Sequence, residues 1–87
     1  MSKRFSQEVI EKKLRTPLDE IKNEAIYIAE KHNGFNSPHE GYAVMLEELD
    51  ELWDEIKKKP LMRDKQQMKD ECKQIAAAAV CFMLYCC

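Results

Sequence analysis

S-P-H-E-G-Y-A-V-M-L-E-E-L-D-E-L-W-D-E-I-K-K, residues 37–58, is written as one helix from cap to stop. Ser37 is a capping residue, Pro38 suits the first helical position, and Glu40 can reach back to complete a capping box. Lys57, Lys58 and Lys59 fall at the carbonyl end, where the helix dipole favours cations, and Pro60 ends the run. Advancing 100° per residue puts Met45, Leu46, Leu49, Leu52, Trp53 and Ile56 on one side and Glu47, Glu51, Asp54 and Glu55 on the other. The apolar side is expected in the core, Trp53 included because of its large apolar area, and the acidic side in water.

Upstream, Leu14, Leu18, Ile21, Ala25, Ile28 and His32 recur at spacings of three and four, the pattern of an amphipathic helix. Thr16-Pro17-Leu18-Asp19 reads as its start near Pro17, with a shorter helix over Ser6 to Arg15 before it. His32-Asn33-Gly34-Phe35-Asn36 reads as a stop and loop, with Gly34 suited to the left-handed residue beyond a helix end. Downstream, a third helix is expected to resume near Arg63 or Asp64 and to run to Cys87. Its core stripe is Met68, Glu71, Ile75, Ala78, Phe82 and Tyr85. The thirteen residues from Ile75 to Cys87 carry no charge and are apolar on every side, yet are too few to span a bilayer. No run alternates as a strand does. The fold class is therefore all-α: one domain over residues 1–87, an antiparallel helical bundle of three main helices plus a short N-terminal helix. Oligomerisation is expected to complete it, because a chain of 87 residues buries only about 60% of its unfolded surface and residues 75–87 are too apolar to stay exposed.

Fourteen basic and sixteen acidic residues leave a net charge of −2, which supplies no general field for a nucleic acid polymer. The opening M-S-K-R-F-S-Q-E-V-I-E-K-K lacks the apolar core of an export signal, so a cytoplasmic protein is expected. Cys72, Cys81, Cys86 and Cys87 lack zinc-site spacing and read as buried, reduced thiols. Two histidines, no G-x-S-x-G, no glycine-rich phosphate loop and no Cys/His pairing leave little room for covalent catalysis.

The acids carry the chemistry. Six lie in the nine residues from Glu47 to Glu55 with no lysine or arginine between them, and each like-charged pair three or four apart costs about 0.2–0.5 kcal/mol. Glu71 sits on the core stripe of the third helix, where a carboxylate must be neutralised, paired with a lysine, or bound to a metal. Antiparallel helices would carry Glu71 towards Glu48 and Glu51. Three carboxylates meeting there suit Mg²⁺, with Mn²⁺ as an alternative, since both take oxygen ligands and Mg²⁺ keeps waters that phosphate oxygens can replace. His39 in the first helical turn and the Lys57–Lys59 cluster, Lys58 above all, are candidates for holding a substrate, although an exposed histidine and helix-end lysines need no such role.

These motifs resemble those of the MazG-like nucleotide pyrophosphohydrolases of the all-α NTP pyrophosphatase superfamily. The resemblance covers roughly residues 28–82 and rests on S-P-H-E-G-Y-A-V-M-L-E-E-L-D-E-L-W-D-E-I-K and D-E-C-K-Q-I-A-A-A-A-V-C-F. Glu47, Glu48 and Glu51 match the family's E-E-x-x-E. Glu71 matches the glutamate of its E-x-x-D, with Gln74 in place of the aspartate, and Tyr85 stands where short relatives often carry an aspartate. The resemblance implies Mg²⁺-dependent hydrolysis of an NTP or dNTP to the monophosphate and pyrophosphate. Glu48, Glu51, Glu71 and Gln74 would be the metal ligands, Glu47 would orient or deprotonate the water, and the assembly would be a homodimer or homotetramer. Gln74 and Tyr85 keep a weakened nucleotide or metal binder open, and a helical oligomerisation module with a solvated acidic face is a further alternative.

Overall fold

The computed structural model describes residues 6–32 and 34–87, and only the backbone of residue 32. The His32 side chain and Asn33, read above as part of a helix stop, lie outside the described residues. Three helices follow in order: α1 (Gln7–His32), α2 (Pro38–Ile56) and α3 (Lys65–Tyr85), with a 3₁₀ turn at Pro60–Met62 between the last two. No strand occurs among the described residues.

Local chemistry sets the helix ends. The Ser37 hydroxyl accepts from the Glu40 amide at 3.1 Å, and Glu40 reaches back to Asn36, accepting from its amide at 3.2 Å and its side chain at 3.1 Å. The capping box is thus closed one residue earlier than expected. Asp64 caps α3, accepting from the amides of Gln66 and Gln67, in line with the expected start. Gly34 has φ +74°, and the Tyr85 ring lies 2.7 Å from where its β-carbon would be. Both the left-handed backbone and the ring above it exclude a side chain.

The start of α1 differs from expectation. A separate helix ending near Arg15 does not form; α1 runs unbroken through Pro17. Proline removes one amide donor, but a helix of 26 residues has enough other hydrogen bonds to continue across it. At the other end α3 stops at Tyr85 rather than Cys87.

α3 is the centre of the fold and packs against both α1 and α2. Ala77 and Cys81 of α3 meet Ala25 of α1 in the core, and the Cys81 thiol donates to the Ala25 carbonyl at 3.5 Å. Phe82 approaches Gly41 near the start of α2, Glu71 meets the middle of α2, and the Asp64 amide meets Glu55 near its end, so α2 and α3 are antiparallel. Of the four cysteines only Cys81 is buried; Cys72 and Cys87 are exposed, which corrects the expectation of four core thiols. The outer side of α3 is open as well, with Met83 and Leu84 exposed, so residues 75–87 are core on one side only.

The orientation of α2 is the main correction. Gly41, Glu48 and Glu55 turn towards α3, whereas Leu46, Leu49 and Trp53, expected in the core, are exposed. Gly41 allows this. A β-carbon there would sit 2.6 Å from the Phe82 ring and 3.0 Å from the Phe35 ring, so the helix backbone rests directly on two aromatic side chains. Gly41→Val is therefore expected to destabilise the fold by about 1–3 kcal/mol, since rigid rings must move to admit the side chain. Chemical denaturation followed by circular dichroism checks this; an unchanged midpoint would contradict the close approach.

Candidate metal centre

Glu48 and Glu51 are three residues apart on α2, and Glu71 faces them from α3. One carboxylate oxygen from each residue lies within 4.8 Å of the other two. Glu71 is buried and Glu48 half-buried, while Glu51 forms the exposed rim. Gln67, one turn earlier on α3, donates to Glu71 Oε1 at 2.7 Å. Glu71 Oε2 is buried and has no hydrogen-bond partner. No lysine or arginine among the described residues forms an ion pair with these three acids, so the lysine pairing weighed from the sequence is not found.

A buried carboxylate oxygen without a donor is costly, and its near neighbours here are two more carboxylates. Carboxylates can hydrogen-bond to one another only if one keeps a proton; otherwise a cation must stand among them. The Glu48 carboxyl is accordingly pushed up to about 7, first by burial and then by the charges of Glu51 and Glu71. Glu51 is also raised, chiefly by the neighbouring Glu71 carboxylate. The donor set fits a hard divalent cation. On one octahedral Mg²⁺ adjacent oxygens are about 3.0 Å apart and opposite ones about 4.2 Å, so the three oxygens would draw closer together to share one ion.

Glu55 shows what a satisfied acid looks like on the same helix. It is buried, accepts from the Asp64 amide at 2.8 Å and from Lys58 Nζ at 2.9 Å, and its carboxyl is held below the usual range, first by that amide and then by Lys58. Expected on the solvated face, it instead ties the end of α2 to the start of α3. This clasp holds the two helices so that Glu71 meets Glu48 and Glu51.

Two cavities adjoin the cluster. A cleft of about 340 Å³ lies among the three helices, walled by Tyr27, Ile28, Phe35, Val44, Glu48, Gln74 and Ala78, with Glu24 and Glu40 also on its lining. A more open acidic hollow of about 600 Å³ includes Glu51, Asp54, Glu55, Lys58, Asp64, Gln67 and Glu71. Glu48 lines the cleft, Glu51 and Glu71 line the hollow, and the cluster joins the two. Lys58 lies at the hollow, where its Nζ is paired with Glu55. Gln74 lines the cleft and has no place in the hollow with Glu71. Glu47 and His39 are exposed and line neither cavity. Tyr85 is fourteen residues beyond Glu71, about 21 Å along α3, where it covers Gly34. Tyr27, Phe35 and Glu24 were not singled out by sequence, because an aromatic residue and an acid outside any motif look like ordinary helix and loop positions.

Comparison with family models, curated proteins and solved structures finds no match to this chain. No described helix is long and apolar enough to cross a membrane.

The cluster makes stability depend on pH in a definite sense. Glu48 titrates near 7 in the folded chain, above its ordinary 4.5, so protonation favours folding. That contribution is complete below about pH 4.5 and is lost as pH rises through 7. Without divalent cations the melting temperature is expected to fall between pH 5 and pH 8 by about 4–8 °C, the effect of about 1 kcal/mol once solvent screening of a half-buried group is allowed for. A thermal scan at several pH values in chelator tests this, and a melting temperature that rises over that range would contradict it.

Proposed function

We propose that the chain is a Mg²⁺-dependent nucleoside triphosphate pyrophosphohydrolase, converting an NTP or dNTP to the monophosphate and pyrophosphate. The observation that carries this reading is the meeting of Glu48, Glu51 and Glu71, the last with a buried and unpartnered Oε2, beside a cleft that shares Glu48. The E-E-x-x-E motif at Glu47, Glu48 and Glu51 and the resemblance to MazG-like enzymes support it from the sequence side.

Glu48, Glu51 and Glu71 would hold the cation. When bound, Mg²⁺ supplies positive charge that the phosphate oxygens need and that offsets charge developing as the bond between α and β phosphates breaks. The cleft, at about 340 Å³, suits the base and sugar and not a whole nucleotide, and Tyr27 and Phe35 offer it aromatic surface. The triphosphate would then lie over the acids and reach Lys58 on the hollow. An attacking water needs a proton acceptor beside the acid cluster and the cleft. Glu48 is better placed for this than Glu47, whose exposed position lets it act only from the rim. Gln74, in the cleft, is placed to hydrogen-bond the substrate and adds no charge to the metal set.

Pure protein incubated with a panel of NTPs and dNTPs plus Mg²⁺ tests the reading, with monophosphate and pyrophosphate as the products measured. Absence of turnover on every substrate would overturn it. Binding without products would leave the weakened nucleotide binder that Gln74 and Tyr85 motivate, and calorimetry separates the two.

A further inference from the structure

Gln67 is held through both its backbone and its side chain. Its amide N–H donates to Asp64 Oδ1 at 3.1 Å as part of the α3 cap, and the Asp64 amide is tied to Glu55 at 2.8 Å. Its side-chain Nε2 donates to Glu71 Oε1 at 2.7 Å, the short distance of a hydrogen bond to a charged acceptor. The clasp that sets α2 against α3 therefore also sets where this amide stands. One residue earlier the helix repeats the bond, with Gln66 Nε2 donating to Asp70 Oδ1 at 2.9 Å. Both are pairs four residues apart, which stabilise a helix wherever they occur. Of the two, only the Gln67 bond ends on the acid cluster, at a glutamate that is 7% exposed.

That bond makes the two oxygens of Glu71 unequal. Oε1 has its donor, whereas Oε2 is buried and has none. A cation taking both oxygens at once must crowd or displace the Gln67 amide; one that takes Oε2 alone leaves it in place. This difference separates two hard cations. Ca²⁺ binds about six to eight oxygens at roughly 2.3–2.6 Å and accepts a carboxylate through both of its oxygens, whereas Mg²⁺ demands near-octahedral geometry at about 2.0–2.1 Å. We propose that Gln67 is a positioning residue that restricts Glu71 to ligation through Oε2 and so shifts the preference of the Glu48, Glu51 and Glu71 site from Ca²⁺ towards Mg²⁺. The inference rests on the metal reading of the cluster and adds to it a selectivity residue that lies outside the acid motifs.

The chemistry of the side chain suits this role. A lysine in the same place would orient Glu71 as well, but its charge would oppose the cation's own. A neutral amide orients the carboxylate and leaves the full negative charge for the metal. Hydrogen bonds of this kind to a ligating group commonly carry about 10- to 100-fold in metal affinity.

Calorimetric titration of Mg²⁺ and of Ca²⁺ into the metal-free parent, Gln67→Met and Gln66→Met, all at one pH, tests the proposal. Gln67→Met is expected to lose about 10- to 100-fold in Mg²⁺ affinity while Ca²⁺ affinity holds or rises, so that the ratio moves towards Ca²⁺ by about tenfold or more. Gln66→Met removes the equivalent helix bond away from the cluster and is expected to keep the parent's ratio. Gln67→Ala, which also lacks the donor, gives the same comparison if the methionine variant does not fold. An unchanged ratio in the Gln67 variants, or an equal shift in Gln66→Met, reduces Gln67 to a helix-stabilising residue and overturns the inference while leaving the metal reading in place. A parent that binds neither ion overturns the metal reading, and the inference with it.

Discussion

Glu71→Gln is expected to raise the melting temperature of the metal-free protein and to abolish its response to Mg²⁺. In the parent, a buried carboxylate oxygen without a donor faces two more carboxylates, and removing its charge removes both the burial cost and the repulsion. Glutamine also brings an amide that can donate to Glu48 or Glu51. The gain without metal is about 1–3 kcal/mol, the ordinary cost of an unsatisfied buried polar group. With metal it is the parent that gains. A cation at a hundred times its Kd stabilises the parent by about 2.7 kcal/mol, which in a chain this short is a rise of roughly 10–20 °C. The variant, lacking the buried ligand, should show almost none. Thermal scans with chelator and with a Mg²⁺ series measure both effects. Equal Mg²⁺ responses in parent and variant would remove the metal reading and leave the acids as a solvated face.

Turnover should respond as sharply. Glu48→Gln is expected to lower kcat/KM for the best nucleotide by about 100- to 1,000-fold, the loss seen when one preorganised electrostatic group is removed from an active site. Glu47→Gln should cost less than about tenfold, because Glu47 is exposed and lines neither cavity. The two neighbours therefore form an internal comparison, in which composition and helix propensity are the same and only the direction of the side chain differs. If Glu47→Gln proves the more damaging, the water is activated from the rim and the assignment of Glu48 fails. A Glu55→Gln control, by contrast, should affect stability before rate, since its carboxylate holds the Asp64 amide and Lys58 rather than a substrate.

Much of this was legible in local chemistry. Ser37 and Asp64 specify helix starts through hydrogen bonds from residues two or three positions away, Pro38 does so through its fixed φ, and Gly34 specifies a left-handed turn because a β-carbon disfavours it. Glu71 was legible as an anomaly, a charge on an apolar stripe. Its meeting with Glu48 and Glu51 followed from one assumption, antiparallel packing, which the structure bears out. Less legible was Glu55. In sequence it is one acid among six, and only a loop folding back to present the Asp64 amide distinguishes it.

Helical period, caps, the all-α class and the acids worth attention were determined by the sequence alone, because each depends on interactions within a few residues. Which side of α2 faces α3 was decided only by the tertiary structure. Burial of apolar surface is non-directional: a row of leucines beside a tryptophan must be covered, but nothing in its pattern says by what. The bare backbone of Gly41 lets the Phe82 and Phe35 rings come close, and Glu55 clasps the α3 start, so α2 turns Glu48 and Glu55 inward and leaves Tyr42, Leu46, Leu49 and Trp53 outside.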